Sequence, residues 1–101
     1  MKYGLENHTV MAIQGVFKAF VKIDKVILYG SRALNSYREG SDIDLTIKGI
    51  DISIQYLQQI ELDLEELMLP YQIDLSIFNH IANKNLIDHI QRVGIEFYTK
   101  E

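Results

Sequence analysis

The sequence predicts a small α/β (α+β) protein with a mixed sheet of three or four strands flanked by helices. Two patterns indicate this class: segments with apolar residues at helical spacing are interspersed with short segments in which apolar and polar residues alternate. The composition, 48% hydrophobic and 24% charged, is that of a globular protein. With 101 residues and no repeat or Pro/Gly/Ser-rich linker, the chain is expected to form one domain over residues 1–101.

The N-terminal part is expected to form a helix followed by a buried strand. The helix should begin near Asn7 or Thr9. The short apolar run Lys25–Tyr29 is typical of a strand, and Gly30 ends it. The residues that give the helix its apolar stripe are Val10, Ile13, Phe17, Phe20 and Val21.

A strictly alternating strand follows. A short helix over Ser31–Tyr37 and a turn over Arg38–Ser41 are expected to lead into it. The strand itself covers Asp42–Lys48, and its alternation places polar and apolar side chains on opposite faces. The polar face carries Asp42, Asp44 and Thr46, and the apolar face carries Ile43, Leu45 and Ile47.

The next segment predicts a second helix, capped by Ser53 and stopped by Pro70. The run Ile60–Leu64 also fits a strand, but the whole segment is longer than a strand usually is. The helical spacing is carried by Leu57, Ile60, Leu64 and Leu67.

The C-terminal part predicts a third strand and a last helix. The strand covers Tyr71–Phe78, with Asp74 on its polar face. The helix covers about His80–Arg92 and ends at Gly94. The final run Ile95–Tyr98 fits either a short strand or an extended tail.

Composition and charge exclude several classes of protein. There is no cysteine, and hence neither a disulfide framework nor a thiolate zinc site. No apolar run has the length of a membrane span, and the N-terminus does not lead into a signal peptide, so we expect a cytoplasmic protein. A net charge of −4 argues against an extended nucleic-acid groove. It leaves room for a small phosphorylated ligand, because a divalent cation would reverse the local sign of charge.

Three carboxylates are the candidate catalytic and metal-binding residues. Asp42 and Asp44 leave the same face of one strand about 7 Å apart, and Asp74 joins them if its strand is adjacent. Clustered carboxylates repel one another, and a bound Mg²⁺ would relieve that repulsion. The ordinary alternative is a solvated strand face.

The junction between the first strand and the following turn is the candidate phosphate-binding segment. Gly30 allows the backbone to approach an anion closely, and Ser31 adds a hydroxyl. Arg32 could carry positive charge to phosphate oxygens, or could be an exposed turn residue. A metal on one side and a polyphosphate on the other would suit phosphoryl or nucleotidyl transfer.

These residues carry a resemblance to a known family. Gly30-Ser31, ten intervening residues and Asp42-Ile43-Asp44 resemble the signature of the polymerase-β-like nucleotidyltransferase superfamily. The chain is most similar to its minimal (MNT-type) members, many of which are antitoxins of MNT/HEPN toxin–antitoxin pairs. Asp74 falls where that family places its third carboxylate.

The resemblance implies an Mg²⁺-dependent transfer of AMP from ATP. Asp42, Asp44 and Asp74 would bind the metal, and Gly30 and Ser31 would hold the β- and γ-phosphates. The acceptor would be a tyrosine hydroxyl of a helical HEPN-type partner in a hetero-oligomer. Two alternatives remain: an antitoxin that acts by binding alone, and transfer of the nucleotide to a small molecule.

Other titratable residues have ordinary interpretations. The histidines lack metal-ligand spacing and are expected in surface or capping roles; they are His8, His80 and His89. An acidic cluster on the second helix is expected to be a solvated face, or else a contact for a basic partner. It comprises Glu61, Asp63, Glu65 and Glu66.

Overall fold

The computed structural model describes residues 1–101 and contains three α-helices and four β-strands. In chain order these are α1 (Asn7–Lys18), β1 (Ile23–Tyr29), β2 (Ile43–Gly49), α2 (Ile54–Glu65), β3 (Ile73–Ile77), α3 (Lys84–Val93) and β4 (Ile95–Thr99). Single turns of 3₁₀ helix over Gly30–Arg32 and Phe78–His80 follow β1 and β3. The predicted class, a mixed sheet flanked by helices, is confirmed.

The four strands form one mixed sheet in the order β3-β2-β1-β4. β1 runs antiparallel to both β2 and β4, whereas β2 and β3 are parallel. A parallel pair needs a crossover connection, and α2 supplies it. The C-terminal run Ile95–Thr99 is therefore a strand and not an extended tail, because it pairs with the free edge of β1.

The core lies on one face of the sheet, beneath α1 and α2. The apolar side chains of β2 are fully buried there, as its alternation predicts, while its polar side chains face the other way. Residues from α1, α2 and β2 that form this cluster include Ile13, Phe17, Ile43, Leu45, Ile47, Ile60 and Leu64. The opposite face is partly covered by α3 through a smaller cluster of Ile27, Tyr29 and Ile90.

The helix ends follow local capping. α2 begins where predicted, because the Ser53 side chain accepts the Tyr56 N–H, but it ends at Glu65, before Pro70. α3 begins at Lys84, after the expected start at His80, because Asn83 caps it by accepting the Leu86 N–H. None of the three helices combines the length and the apolar character that crossing a bilayer requires.

The expected short helix over Ser31–Tyr37 is wrong. After the 3₁₀ turn the chain leaves the helical path, and Asn35 adopts a left-handed conformation with φ of 60°. The segment from residue 36 to residue 42 then runs without regular structure to β2. In this conformation the Arg32 side chain binds the Ser41 carbonyl at the end of the same loop and the Tyr3 carbonyl near the N-terminus.

Candidate active site

Three strands meet in a row of polar side chains on the α3-facing side of the sheet. Tyr29, the last residue of β1, lies opposite Asp44 of β2. Asp44 is in register with Asp74 of the parallel strand β3, so the condition for their meeting is fulfilled. Neighbouring strands lie about 4.8 Å apart, which makes the two carboxylates immediate neighbours. Asp42 stands exposed just before β2 begins.

Asp44 is the electrostatic centre of this row. Burial raises the pKa of its carboxyl above the ordinary value, and the charges of Asp74 and Asp42 raise it further. A proton added to the His89 imidazole would act in the opposite direction, and this influence is the smallest of the four. The carboxylates of the row therefore repel one another in the folded chain, and a cation bound between them would lower its free energy.

Hydroxyl groups line the sheet beside the carboxylates. Ser76 donates to the Thr46 hydroxyl at 2.9 Å, and Thr46 is fully buried. Burial raises the pKa of the Tyr29 phenol, and the neighbouring Asp74 and Asp44 charges raise it further, against a lowering influence of the Ser76 hydroxyl. The net direction is upward, so Tyr29 stays a neutral phenol next to the carboxylates.

Gly30 is fixed by its neighbours on two sides. Its φ of +74° lies in the left-handed region, and a Cβ at this position would overlap the carboxylate of Asp44. Its backbone N–H donates to Nε2 of His89 at 3.1 Å. Ser31 follows directly and is partly exposed. The Gly-Ser turn therefore lies against Asp44, as the candidate site requires.

Arg32 lies beside the site with its donors directed elsewhere. Its side chain is 3% exposed, and the guanidinium donates to the Tyr3 carbonyl at 2.8 Å and to the Ser41 carbonyl at 2.8 and 3.2 Å. The rings of Tyr37 and Tyr71 lie 5.3 and 5.1 Å from it. The guanidinium ties the loop before β2 to the N-terminal turn, and its burial shows that the expected exposed turn role is wrong. A phosphate contact of Arg32 stays a prediction.

His89 belongs to the site, and sequence reasoning missed it. Besides accepting the Gly30 N–H, its ring lies edge-on to Tyr29, with 6.2 Å between centroids and 80° between planes. Of the surface or capping roles expected for His89, the structure shows a half-buried side chain that accepts the N–H of the first residue of the 3₁₀ turn. No local pattern could have revealed the contact, because 59 residues separate His89 from Gly30.

The donor set fits Mg²⁺. No group of three His, Cys, Asp or Glu side chains is drawn closely enough together to enclose an ion. Mg²⁺ does not need such a cage, since proteins usually bind it through one or two carboxylates together with substrate phosphates. The adjacent pair Asp44 and Asp74, with Asp42 beside them, offers hard oxygen ligands of this kind.

The chain is similar to known proteins in sequence and in fold. Residues 12–101 match the family described as polymerase beta, nucleotidyltransferase. The chain is 32% identical over 78 residues, 74% of this chain and 79% of the relative, to the protein named "Putative protein adenylyltransferase MJ0141" from Methanocaldococcus jannaschii.

Two crystal structures share the fold at low sequence identity. A toxin–antitoxin with AMP-PNP has a TM-score of 0.71 at 16% identity, over 96% of this chain and 76% of that chain. A mutant of the toxin–antitoxin MntA-HpeT has a TM-score of 0.68 at 15% identity, over 96% of this chain and 75% of that chain.

Proposed function

Because the chain belongs to the polymerase β nucleotidyltransferase family, and is therefore a nucleotidyltransferase, we propose that it transfers AMP from ATP to a hydroxyl of a protein partner. The family resemblance stated from Gly30-Ser31 and Asp42-Ile43-Asp44 is confirmed. One observation carries the proposal: Asp44 lies against Gly30 of the Gly30–Ser31 turn and has Asp74 beside it on the parallel strand. The name of the Methanocaldococcus jannaschii relative supports a protein as the acceptor.

The Gly30–Ser31 turn holds the β- and γ-phosphates of ATP in this proposal. The Gly30 N–H is already bonded to His89, so the contribution of Gly30 is the close approach that a missing side chain permits. The Ser31 hydroxyl donates to a phosphate oxygen. Arg32 holds the loop that follows, through its bonds to two backbone carbonyls.

Asp42, Asp44 and Asp74 would hold Mg²⁺, which when bound offsets the negative charge of the triphosphate. Asp74, exposed at the rim, accepts the proton of the attacking hydroxyl. The hydroxyl oxygen forms a bond to the α-phosphorus, and the bond from that phosphorus to the bridging oxygen breaks. Pyrophosphate leaves with the electron pair, and AMP stays on the acceptor.

The acceptor, we propose, is a tyrosine of a small helical HEPN-type toxin that forms a hetero-oligomer with this chain in the cytoplasm. Two structures of the same fold are described as toxin–antitoxins, one of them with an ATP analogue, which supports this assignment. In this proposal residues 1–101 act as one minimal catalytic domain, and the partner supplies the acceptor surface.

Intact-mass spectrometry of a co-expressed partner tests the reaction and the acceptor together. The partner to co-express is a small helical protein, if a neighbouring reading frame encodes one. With the wild-type chain we expect a mass gain of one or more AMP units on a tyrosine of the partner, and with Asp44→Asn no gain. Asp24→Asn, which changes an exposed carboxylate outside the site, is the matched control and should modify the partner normally.

A partner that gains no mass with the wild-type chain would refute the transfer reaction. Growth of cells that express the partner separates modification from binding. If Asp42→Ala/Asp44→Ala still protects those cells, the chain neutralises the partner by binding alone, which is the alternative that the sequence left open.

A further inference from the structure

The backbone N–H of Gly30 has a single, distant partner. β1 ends at Tyr29, so this N–H lies one residue beyond the strand. It donates to Nε2 of His89, on α3, at 3.1 Å. Apart from this bond, the side-chain hydrogen bonds of α3 remain within the helix and its cap, so His89 is its one polar link to the site.

A glycine turn needs such a link, because glycine has no side chain to restrict its backbone. Gly30 stands at φ +74°, and glycine exchanges readily between this region and others. Asp44 limits it from the Cα side, since a Cβ there would lie 3.3 Å from the Asp44 Cγ and closer still to the carboxylate oxygen. His89 limits it from the N–H side. The direction in which the Ser31 hydroxyl points depends on both restraints.

The helix that carries His89 is a firm support. Ile90, the next residue, is 3% exposed and packs against Ile27 and Tyr29 of β1. The Asn83 cap fixes the start of the helix, and the imidazole itself packs edge-on against Tyr29. The distance between α3 and the end of β1 is thereby set by apolar packing, and the hydrogen bond transmits it to the turn.

We propose that His89 is a positioning residue, which holds the Gly30–Ser31 turn in the conformation that binds the triphosphate of ATP. This inference rests on the proposed function of that turn. Because Nε2 accepts a hydrogen bond, it carries the lone pair and Nδ1 carries the proton. His89 touches neither substrate nor metal and acts through Gly30 alone.

Two substitutions separate this role from general packing. Gln places an acceptor at about the distance of Nε2 from the backbone, whereas the shorter Asn cannot reach it. Their matched control is His80→Asn at an exposed histidine. The measurements are the ¹⁵N–¹H resonance and solvent exchange of the Gly30 amide, and the Kd of the full chain for ATP in the presence of Mg²⁺.

We expect His89→Asn to shift the Gly30 amide resonance, to speed its exchange with solvent, and to weaken ATP binding about fivefold, the effect of one neutral hydrogen bond. His89→Gln should restore both properties to near wild type, and His80→Asn should change neither. A Gly30 amide that is identical in His89→Asn and wild type overturns the proposal. So does His89→Asn protein that shows the amide shift but binds ATP as tightly as wild type.

The wild-type protein supplies a test that does not depend on any variant folding. The imidazole ¹⁵N shifts of His89 report which nitrogen is protonated, and a proton on Nε2 overturns the proposal. A third outcome is that the wild-type chain shows the expected tautomer and Gly30 resonance but binds no ATP. It refutes the proposed function, and with it the positioning role, while the hydrogen bond itself stands.

Discussion

Replacing Asp44 by Asn is expected to stabilise the metal-free protein at pH 7. Burial and the charges of Asp74 and Asp42 raise the pKa of Asp44 above its ordinary 3.8, so the folded chain binds this proton more tightly than the unfolded chain. The free energy of unfolding therefore falls as pH rises from about 3.8 through the raised pKa, and it stays reduced above that. Asn at this position carries no charge, so the variant avoids this loss of stability.

The size of this gain follows from the strand spacing. At a separation of about 4.8 Å, two unit charges repel by about 1 kcal/mol in water and by about 3 kcal/mol in a medium of effective dielectric constant near 20. Asp74 is exposed, so solvent screening favours the lower figure. For a domain of about 100 residues, about 1 kcal/mol raises Tm by roughly 4 °C.

Thermal melts followed by circular dichroism, in a chelating buffer at pH 7, measure the effect. Asp44→Asn should melt about 4 °C above wild type, whereas Asp24→Asn should match wild type. The difference should shrink as the pH is lowered toward 3.8, because wild-type Asp44 is then protonated. Addition of Mg²⁺ should raise the Tm of wild type and leave that of Asp44→Asn almost unchanged. If Asp44→Asn melts at or below wild type in the chelating buffer at pH 7, the carboxylates do not repel as argued.

Three further substitutions test other parts of the site. Gly30→Ala should lower the free energy of unfolding, measured in urea, by about 2 kcal/mol and should abolish ATP binding. Gly15→Ala is the control, because nothing lies within 4 Å of an added Cβ there, and it should raise the free energy of unfolding by about 0.5 kcal/mol. Equal stabilities of the two variants would contradict the left-handed turn at Gly30. Arg32→Met should lower the free energy of unfolding by about 2–3 kcal/mol, whereas Arg38→Met, at an exposed arginine, should leave it almost unchanged. An Arg32→Met variant of unchanged stability that binds ATP more weakly would instead support the phosphate contact that the sequence suggested. In absorbance titrations of the six tyrosines, wild type should show one that ionises later than the rest, and Tyr29→Phe should lack it; a late phase that persists in the variant would refute the raised pKa.

Elements with one decisive apolar pattern were predictable from the sequence. The alternation over Asp42–Lys48 leaves only a strand, and the structure has it one residue later. The run Ile60–Leu64 fitted both a helix and a strand. The cap at Ser53 and the length of the segment favoured a helix, and a helix is present. The segment after Arg32 was not predictable, since its path depends on bonds from that side chain to carbonyls elsewhere in the chain.

The meeting of Asp44 with Asp74 could be predicted only as a condition. Residue patterns give the face on which each carboxylate lies, but they do not give the order of strands in the sheet. In the structure, α2 forms the crossover that brings β3 back parallel to β2 and places the two strands side by side. The contact between His89 and Gly30 has no sequence signal at all, because it depends on how α3 packs against β1.

The strand order also divides the molecule into two interleaved pieces. The stretch 68–70, in which Met68 and Pro70 are exposed, separates a first part from a second part of the chain. The first part holds β1 and β2 at the centre of the sheet, and the second supplies both outer strands, β3 and β4. The first part carries Asp44 and Gly30, and the second carries Asp74 and His89. A chain cut in that stretch would thus yield two fragments that pair through β2 with β3 and through β1 with β4. Neither fragment alone would contain the whole proposed nucleotide site. Because the proposed ATP site is divided between the two fragments, ATP binding would require both of them together.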